Sequence, residues 1–117
     1  MQIVRLRLPY PPSVNHYWFR NRNGGMRIGT QGQAFRIATQ SVVNRSGAGK
    51  MKGKLYVEIL ARPPDKRRRD IDNLLKATLD ALQHANLYED DNQINRIEIC
   101  RGIVIKGGVL AVEVGLL

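Results

Sequence analysis

The sequence predicts an α+β fold: a mixed, mostly antiparallel sheet with two helices, in a single domain over residues 1–117. Three observations predict it. Val4, Leu6 and Leu8, then Leu55, Val57, Ile59 and Ala61, then Leu110, Val112 and Val114 recur at every second position, the period of a half-buried strand. Two segments, about 30–44 and 71–85, place apolar residues at helical spacing. A chain of 117 residues with 43% hydrophobic content is long enough for one core and shows no second unit.

In the first strand Arg5 and Arg7 form a basic outer face, and Pro9, Pro11 and Pro12 end it in an extended loop. The polar, aromatic and basic segment from Asn15 to Gly25 is expected to be a mobile loop, and Met26–Ile28 a short strand. Thr30 is the expected N-cap of a helix running to about Asn44, with Ala34, Ile37, Ala38, Ser41 and Val42 as its inner stripe. Residues 46–49 turn the chain into the strand of Leu55 to Ala61. A second helix is expected from about Ile71 to Ala85, with Asp70 as its cap and Asn86 as its stop. Its inner stripe is Ile71, Leu74, Leu75, Thr78, Leu82 and Ala85. Ile97, Ile99, Ile103 and Ile105 suggest one strand face, and Lys106-Gly107-Gly108 a hairpin turn back into the last strand. Cys100 falls with Arg96 and Glu98 on the opposite face.

Charge is distributed unevenly. The net charge is +9, and the first 57 residues hold ten Lys or Arg and no acid, yet seven of the ten acids lie between Asp65 and Asp91. A basic surface suits a polyanion, and nucleic acid fits better than a membrane face because no basic amphipathic helix is apparent. Clustered carboxylates suit a divalent cation, the usual bridge between carboxylates and phosphate. No apolar run approaches the roughly 20 residues that cross a bilayer. The apolar N-terminal stretch is interrupted by Arg5 and Arg7, unlike a signal peptide. A lone Cys100 excludes an internal disulfide and fits the cytoplasm. The glycine pairs at 24–25 and 107–108 are turn residues, so no phosphate-binding loop and no nucleotide cofactor is expected. His16 and His84 lack metal-ligand spacing.

Asp70 and Asp72 bracket the start of the second helix, and Lys76 extends the Asp72 face. Glu89-Asp90-Asp91 follows one loop after the helix. Acids at a helix start also stabilise the helix alone, by about 0.3–1 kcal/mol each. That does not account for Lys76, the later acids and the preceding Arg67, Arg68 and Arg69 together. Carboxylates from these places are expected to converge on Mg²⁺, with Lys76 meeting charge that develops on phosphate. Tyr17, Trp18, Arg20 and Arg22 interleave rings with cations and suggest a surface that stacks on unpaired bases; burial of Trp18 and Phe19 under the Pro-rich loop is the alternative.

The run Pro64-Asp-Lys-Arg-Arg-Arg-Asp-Ile-Asp-Asn-Leu-Leu-Lys-Ala77 resembles the signature of the RusA family of Holliday-junction resolvases, small endonucleases of phage and prophage origin. Leu8-Pro-Tyr-Pro-Pro-Ser-Val-Asn15, Gln31-Gly-Gln-Ala-Phe-Arg36, Asp80-Ala-Leu82 and Glu89-Asp-Asp91 with Gln93 resemble its other motifs, collinear over nearly the whole chain. The resemblance implies a Mg²⁺-dependent homodimer, with Mn²⁺ able to substitute, that nicks opposing strands of a four-way DNA junction. It places the catalytic aspartates on Asp70, Asp72 and Asp91, the essential lysine on Lys76, and a basic position beside the site on Arg69. Asp90 ranks below Asp91 as a ligand. The alternative from another class is a catalytically silent, or differently targeted, basic nucleic-acid-binding protein of the same fold.

Overall fold

The structure, a computed structural model, describes residues 2–117. The elements run β1 (Ile3–Leu8), α1 (Val14–Tyr17), β2 (Trp18–Arg20), β3 (Met26–Ile28), α2 (Thr30–Ser46), β4 (Leu55–Arg62), a 3₁₀ turn (Ile71–Leu74), α3 (Leu75–His84), a second 3₁₀ turn (Asp91–Gln93), β5 (Ile94–Arg101) and β6 (Val109–Leu116). The main sheet has the order β1-β6-β4-β5, and β2 and β3 form a separate hairpin. β6 pairs antiparallel with β1 and β4, whereas β4 and β5 are parallel. The α+β class and the mixed, mostly antiparallel sheet are therefore as expected.

Alternation dictates the core. Val4, Leu6 and Leu8 of β1, Leu55, Val57, Ile59 and Ala61 of β4, and Leu110, Val112 and Val114 of β6 are all buried on one face. α2 and α3 supply Phe35, Val43, Leu74, Ala77, Ala81 and Leu82 to the same core. The opposite sheet face carries all three acids outside the Asp65–Asp91 segment, Glu58, Glu98 and Glu113, and two of them are matched there by Arg96 and Arg5. Cys100 lies on that face with Arg96 and Glu98, as its alternation requires.

Parallel strands cannot be joined by a tight turn; they need a long crossover. Residues 63–93 are that crossover, so the acidic segment is the connection from the end of β4 over α3 into β5. Asn86 adopts φ 63° just past α3, the left-handed stop that an Asn tolerates.

Five local expectations are corrected. Gly107 and Gly108 turn the chain with φ of 83° and 71°, but β5 and β6 do not pair. β6, buried along its inner face, takes the centre of the sheet, and β5, largely exposed, takes the edge. Ile103 and Ile105 leave the strand because the Gly102 and Ile105 amides bond to Ala61 and Pro63 at the end of β4. α2 is rotated from its expected stripe. Gly32, Phe35, Thr39 and Val43 face inward and Ile37 is 72% exposed, because Gly32 lies where a Cβ would meet the Tyr17 carbonyl at 2.8 Å. α2 is also capped by Gly29, with Thr30 already inside the helix. Finally, residues 14–20 are ordered into α1 and β2.

Candidate nucleic-acid interface and carboxylate site

A groove of about 700 Å³ lies between the Pro-rich loop, α2 and the 3₁₀ turn that opens the crossover. Pro11, Ser13, His16, Gln31, Arg67, Arg69, Asp70 and Asn73 are among the residues that line it. Its basic wall is built locally. Asp65 accepts the Arg67 amide at 2.9 Å, the Arg67 guanidinium at 3.1 and 3.2 Å, and Arg69 Nη1 at 2.7 Å. The Arg69 contact first, then the Arg67 amide, holds the Asp65 carboxyl well below the usual carboxylate range. One acid thus folds the arginine run back on itself, and Arg69 also lies over the Tyr10 ring at 5.7 Å. Arg68 between them stays exposed.

Asp70 and Asp72 follow at once. Asp70 occupies the cap position of the 3₁₀ turn, but its side chain makes no capping bond. Among the described residues, neither carboxylate has a hydrogen-bond or ion-pair partner. Both are exposed, as is Lys76 one turn on. Helix stabilisation by a side-chain cap is therefore not what the Asp70 carboxylate does. Asn73 accepts the Val14 amide at 3.5 Å and ties the turn to α1.

The other acids are engaged. Asp80 accepts Arg36 Nε at 3.0 Å and Nη2 at 2.8 Å, and the Tyr17 hydroxyl donates to the same oxygen. Glu89 pairs with Lys50 at 2.8 Å. Asp90 accepts the Asn92 amide at 2.8 Å while Gln93 Oε1 accepts the Asp90 amide, a reciprocal cap of the second 3₁₀ turn. Asp90 is thereby a structural residue.

Asp91 sits beside this far end. Its amide donates to Gln83 Oε1 at 3.0 Å. Partial burial first, and the nearby charges of Asp80 and Asp90, push its carboxyl up, and the Tyr88 hydroxyl partly offsets them. From Asp72 to Asp80 is about two helical turns, roughly 12 Å along the axis. Among the described residues no three His, Cys, Asp or Glu gather as a metal-holding group. Within one chain, Asp70 and Asp72 stand at one end of α3 and Asp91 towards the other.

The donor chemistry at the first end fits a hard cation. Both carboxylates offer oxygen atoms that nothing among the described residues occupies, and Asp70 lines the groove with Arg67 and Arg69.

Tyr17 is not a surface ring. It is fully buried, and burial first, then its bond to Asp80, pushes its hydroxyl well above the usual range. It therefore cannot stack on a base. Trp18 packs edge-on against it at 5.3 Å between centroids and remains half-buried under Arg36. Arg20 and Arg22 are exposed on the β2–β3 hairpin and its turn, without an ion-pair partner among the described residues. The sequence reading missed His16 and Asn73 as groove-lining groups. His16, in α1, meets Ser13 Oγ at 2.8 Å and so lies against the end of the Pro-rich loop.

No described helix is long and apolar enough to cross a membrane. The family model for Endodeoxyribonuclease RusA matches residues 9–114. A crossover junction endodeoxyribonuclease of Enterobacteria phage HK97 is 41% identical over 108 residues, covering 92% of this chain and 89% of the relative. Those of Enterobacteria phage 82 and Escherichia coli (strain K12) are 37% and 35% identical over 117 residues, each covering 97% of this chain and 95% of the relative. By this family match and these relatives, the chain belongs to the RusA family of endodeoxyribonucleases.

Proposed function

We propose that the chain is a Mg²⁺-dependent endodeoxyribonuclease that resolves four-way DNA junctions by paired nicks, acting as a homodimer. One observation carries this reading: Asp70 and Asp72 are exposed and without partners among the described residues, at the start of the crossover beside a basic groove, whereas the Asp65, Asp80, Glu89 and Asp90 carboxylates are engaged. A carboxylate without a partner in a region of such density is available for a ligand.

Mg²⁺ held by few carboxylates with substrate phosphate would supply charge neutralisation at the phosphorus and a more acidic water. The chain's own residues do the rest. Arg67, Arg68 and Arg69 hold the phosphate backbone, with Asp65 fixing the forks of two of them. Lys76 presents an ammonium one turn beyond Asp72, on the side where negative charge grows as the strand breaks. Asp91 is the third proposed ligand, and Gln83 fixes its backbone position. Two nicks in strands of like polarity require two such sites related by a two-fold axis, which a symmetric dimer provides.

A second reading is supported by the separation of Asp91 from Asp70 and Asp72 in one chain: a basic junction binder without cleavage. One experiment decides. Four-way junctions, flaps, duplex DNA and RNA are incubated with the chain in Mg²⁺ and in EDTA. Cleavage of the junction in Mg²⁺ alone is expected. Binding without cleavage establishes the second reading, and preferential cutting of another substrate replaces the junction as target.

A further inference from the structure

The groove beside Asp70 has a charged rim and an apolar floor. Pro11, Phe35 and Leu74 are buried where they line it, and Ala34 and Ala38 form its α2 side. A volume of about 700 Å³ lies within the range of about 300–1,000 Å³ typical of small-ligand pockets. Phosphate contact alone needs no such floor. A flat ring with apolar faces does.

The walls stand before any ligand arrives. Pro11 and Pro12 fix their own φ. Gly108 packs so closely that a Cβ there would meet Tyr10 Cβ at 2.8 Å and Pro64 Cδ at 3.0 Å. The Val14 amide donates to Asn73 and ties α1 to the 3₁₀ turn. A preformed site loses little conformational freedom on binding.

The rim holds polar groups with unused capacity. Gln31 is exposed there, and its side-chain amide has no partner among the described residues. Asn73 accepts through Oδ1, which leaves Nδ2 to donate. His16 uses Nδ1 on Ser13 Oγ, which leaves Nε2. Amide and imidazole groups of this kind match the donor and acceptor edge of a nucleobase.

Position selects the nucleotide. Asp70 lines the same groove, so a phosphate held at Asp70 brings its own nucleotide to the opening. Arg67 and Arg69 complement the phosphates on either side. Two other concavities lack this match. Glu58, Glu98 and Glu113 line one on the outer sheet face, and Glu89 and Asp90 line one beside Lys50, Lys52 and Lys54. A base inside a duplex cannot enter the groove, because its faces are stacked and its edge is paired. Where strands exchange, unstacking is easier.

We propose that the groove is a nucleobase pocket. It takes, unpaired, the base of the nucleotide adjoining the phosphate at Asp70 and Asp72, with the ring on the apolar floor and its edge on Gln31, Asn73 and His16. This rests on the carboxylate site of the proposed function and names the part of the DNA that the site selects.

The test reads the base directly. Four-way junctions carry 2-aminopurine at each central nucleotide in turn and are titrated with the chain, with Ca²⁺ replacing Mg²⁺. Emission of this base rises when it leaves the stack. A rise at one position is expected. Ala34→Leu/Ala38→Leu fills the groove with good helix formers. It is expected to abolish the rise while junction affinity stays within about threefold, because the arginines still hold the backbone. Gln31→Ala should weaken the rise at least about twofold, and decides alone should the double variant fail to fold. No rise at any position, or a rise unchanged in every folded variant, overturns the pocket and leaves the groove to phosphate contact or to a protein segment. Junction cutting in Mg²⁺ would then leave the nuclease reading intact. A chain that neither binds nor cuts the junction overturns both.

Discussion

The two ends of α3 carry similar acids in opposite circumstances. At the N-terminal end Asp70 and Asp72 are exposed and their carboxylates bond to nothing among the described residues. At the C-terminal half Asp80 joins α1, α2 and α3 through Tyr17 and Arg36, and Asp90 caps a turn. Identical side chains thus do different work, and what separates them is their partners rather than their type or spacing. Asp91 belongs to neither group: its amide is fixed, while desolvation and the neighbouring charges of Asp80 and Asp90 push its carboxyl up.

Substitutions can break this contrast at several points. Tyr17→Ala should be the most damaging to the fold. It empties a fully buried aromatic site and removes a donor to Asp80, at about 3–5 kcal/mol in chemical denaturation. A neutral effect on stability with loss of DNA binding would return Tyr17 to the surface role its neighbours suggested. Asp72→Asn should do the reverse, leaving the unfolding midpoint unchanged and lowering junction cleavage at least about a hundredfold, with binding retained. Normal cleavage by that variant removes Asp72 from the chemistry. Asp80→Asn should cost about 1–3 kcal/mol, because Arg36 and Tyr17 lose a charged acceptor in a partly exposed setting.

Asp91→Asn sharpens the comparison through its sign. The carboxyl is raised in the folded chain, so ionising it disfavours folding, and that penalty grows as pH rises through its range. The Asn variant should therefore melt slightly higher at pH 7 and lose the advantage at low pH, where both side chains are neutral. A lower melting temperature at pH 7 would make Asp91 structural, like Asp90. The smallest expected effect is Arg68→Ala, which should reduce the salt slope of junction binding by about one with little change in stability.

Much of the fold was legible because strand alternation and helix termini are local. The inner faces of β1, β4 and β6 and the Asn86 stop are where their residues put them. Strand order was not legible. Gly107-Gly108 encodes a reversal, but nothing near it states that β6 will lie between β1 and β4. The facing of α2 was missed because Gly32, which has no side chain to count, decides it through its approach to Tyr17. At the site the basic groove and the acid positions could be read from the chain. The fate of Tyr17 could not, since an aromatic beside arginines has the same sequence whether it meets DNA or Asp80. Nor could spacing show that Asp91 would settle about two turns along α3 from Asp72.

Mn²⁺-induced line broadening in the amide spectrum of the DNA-free chain tests most directly whether the uncommitted aspartates hold the cation. Broadening centred on residues 70–72, abolished by Asp72→Asn and unchanged by Asp90→Asn, is the expected result. Broadening centred on Asp80 and Asp90 with residues 70–72 sharp would contradict it, and would leave the chain a basic binder whose free carboxylates meet only water.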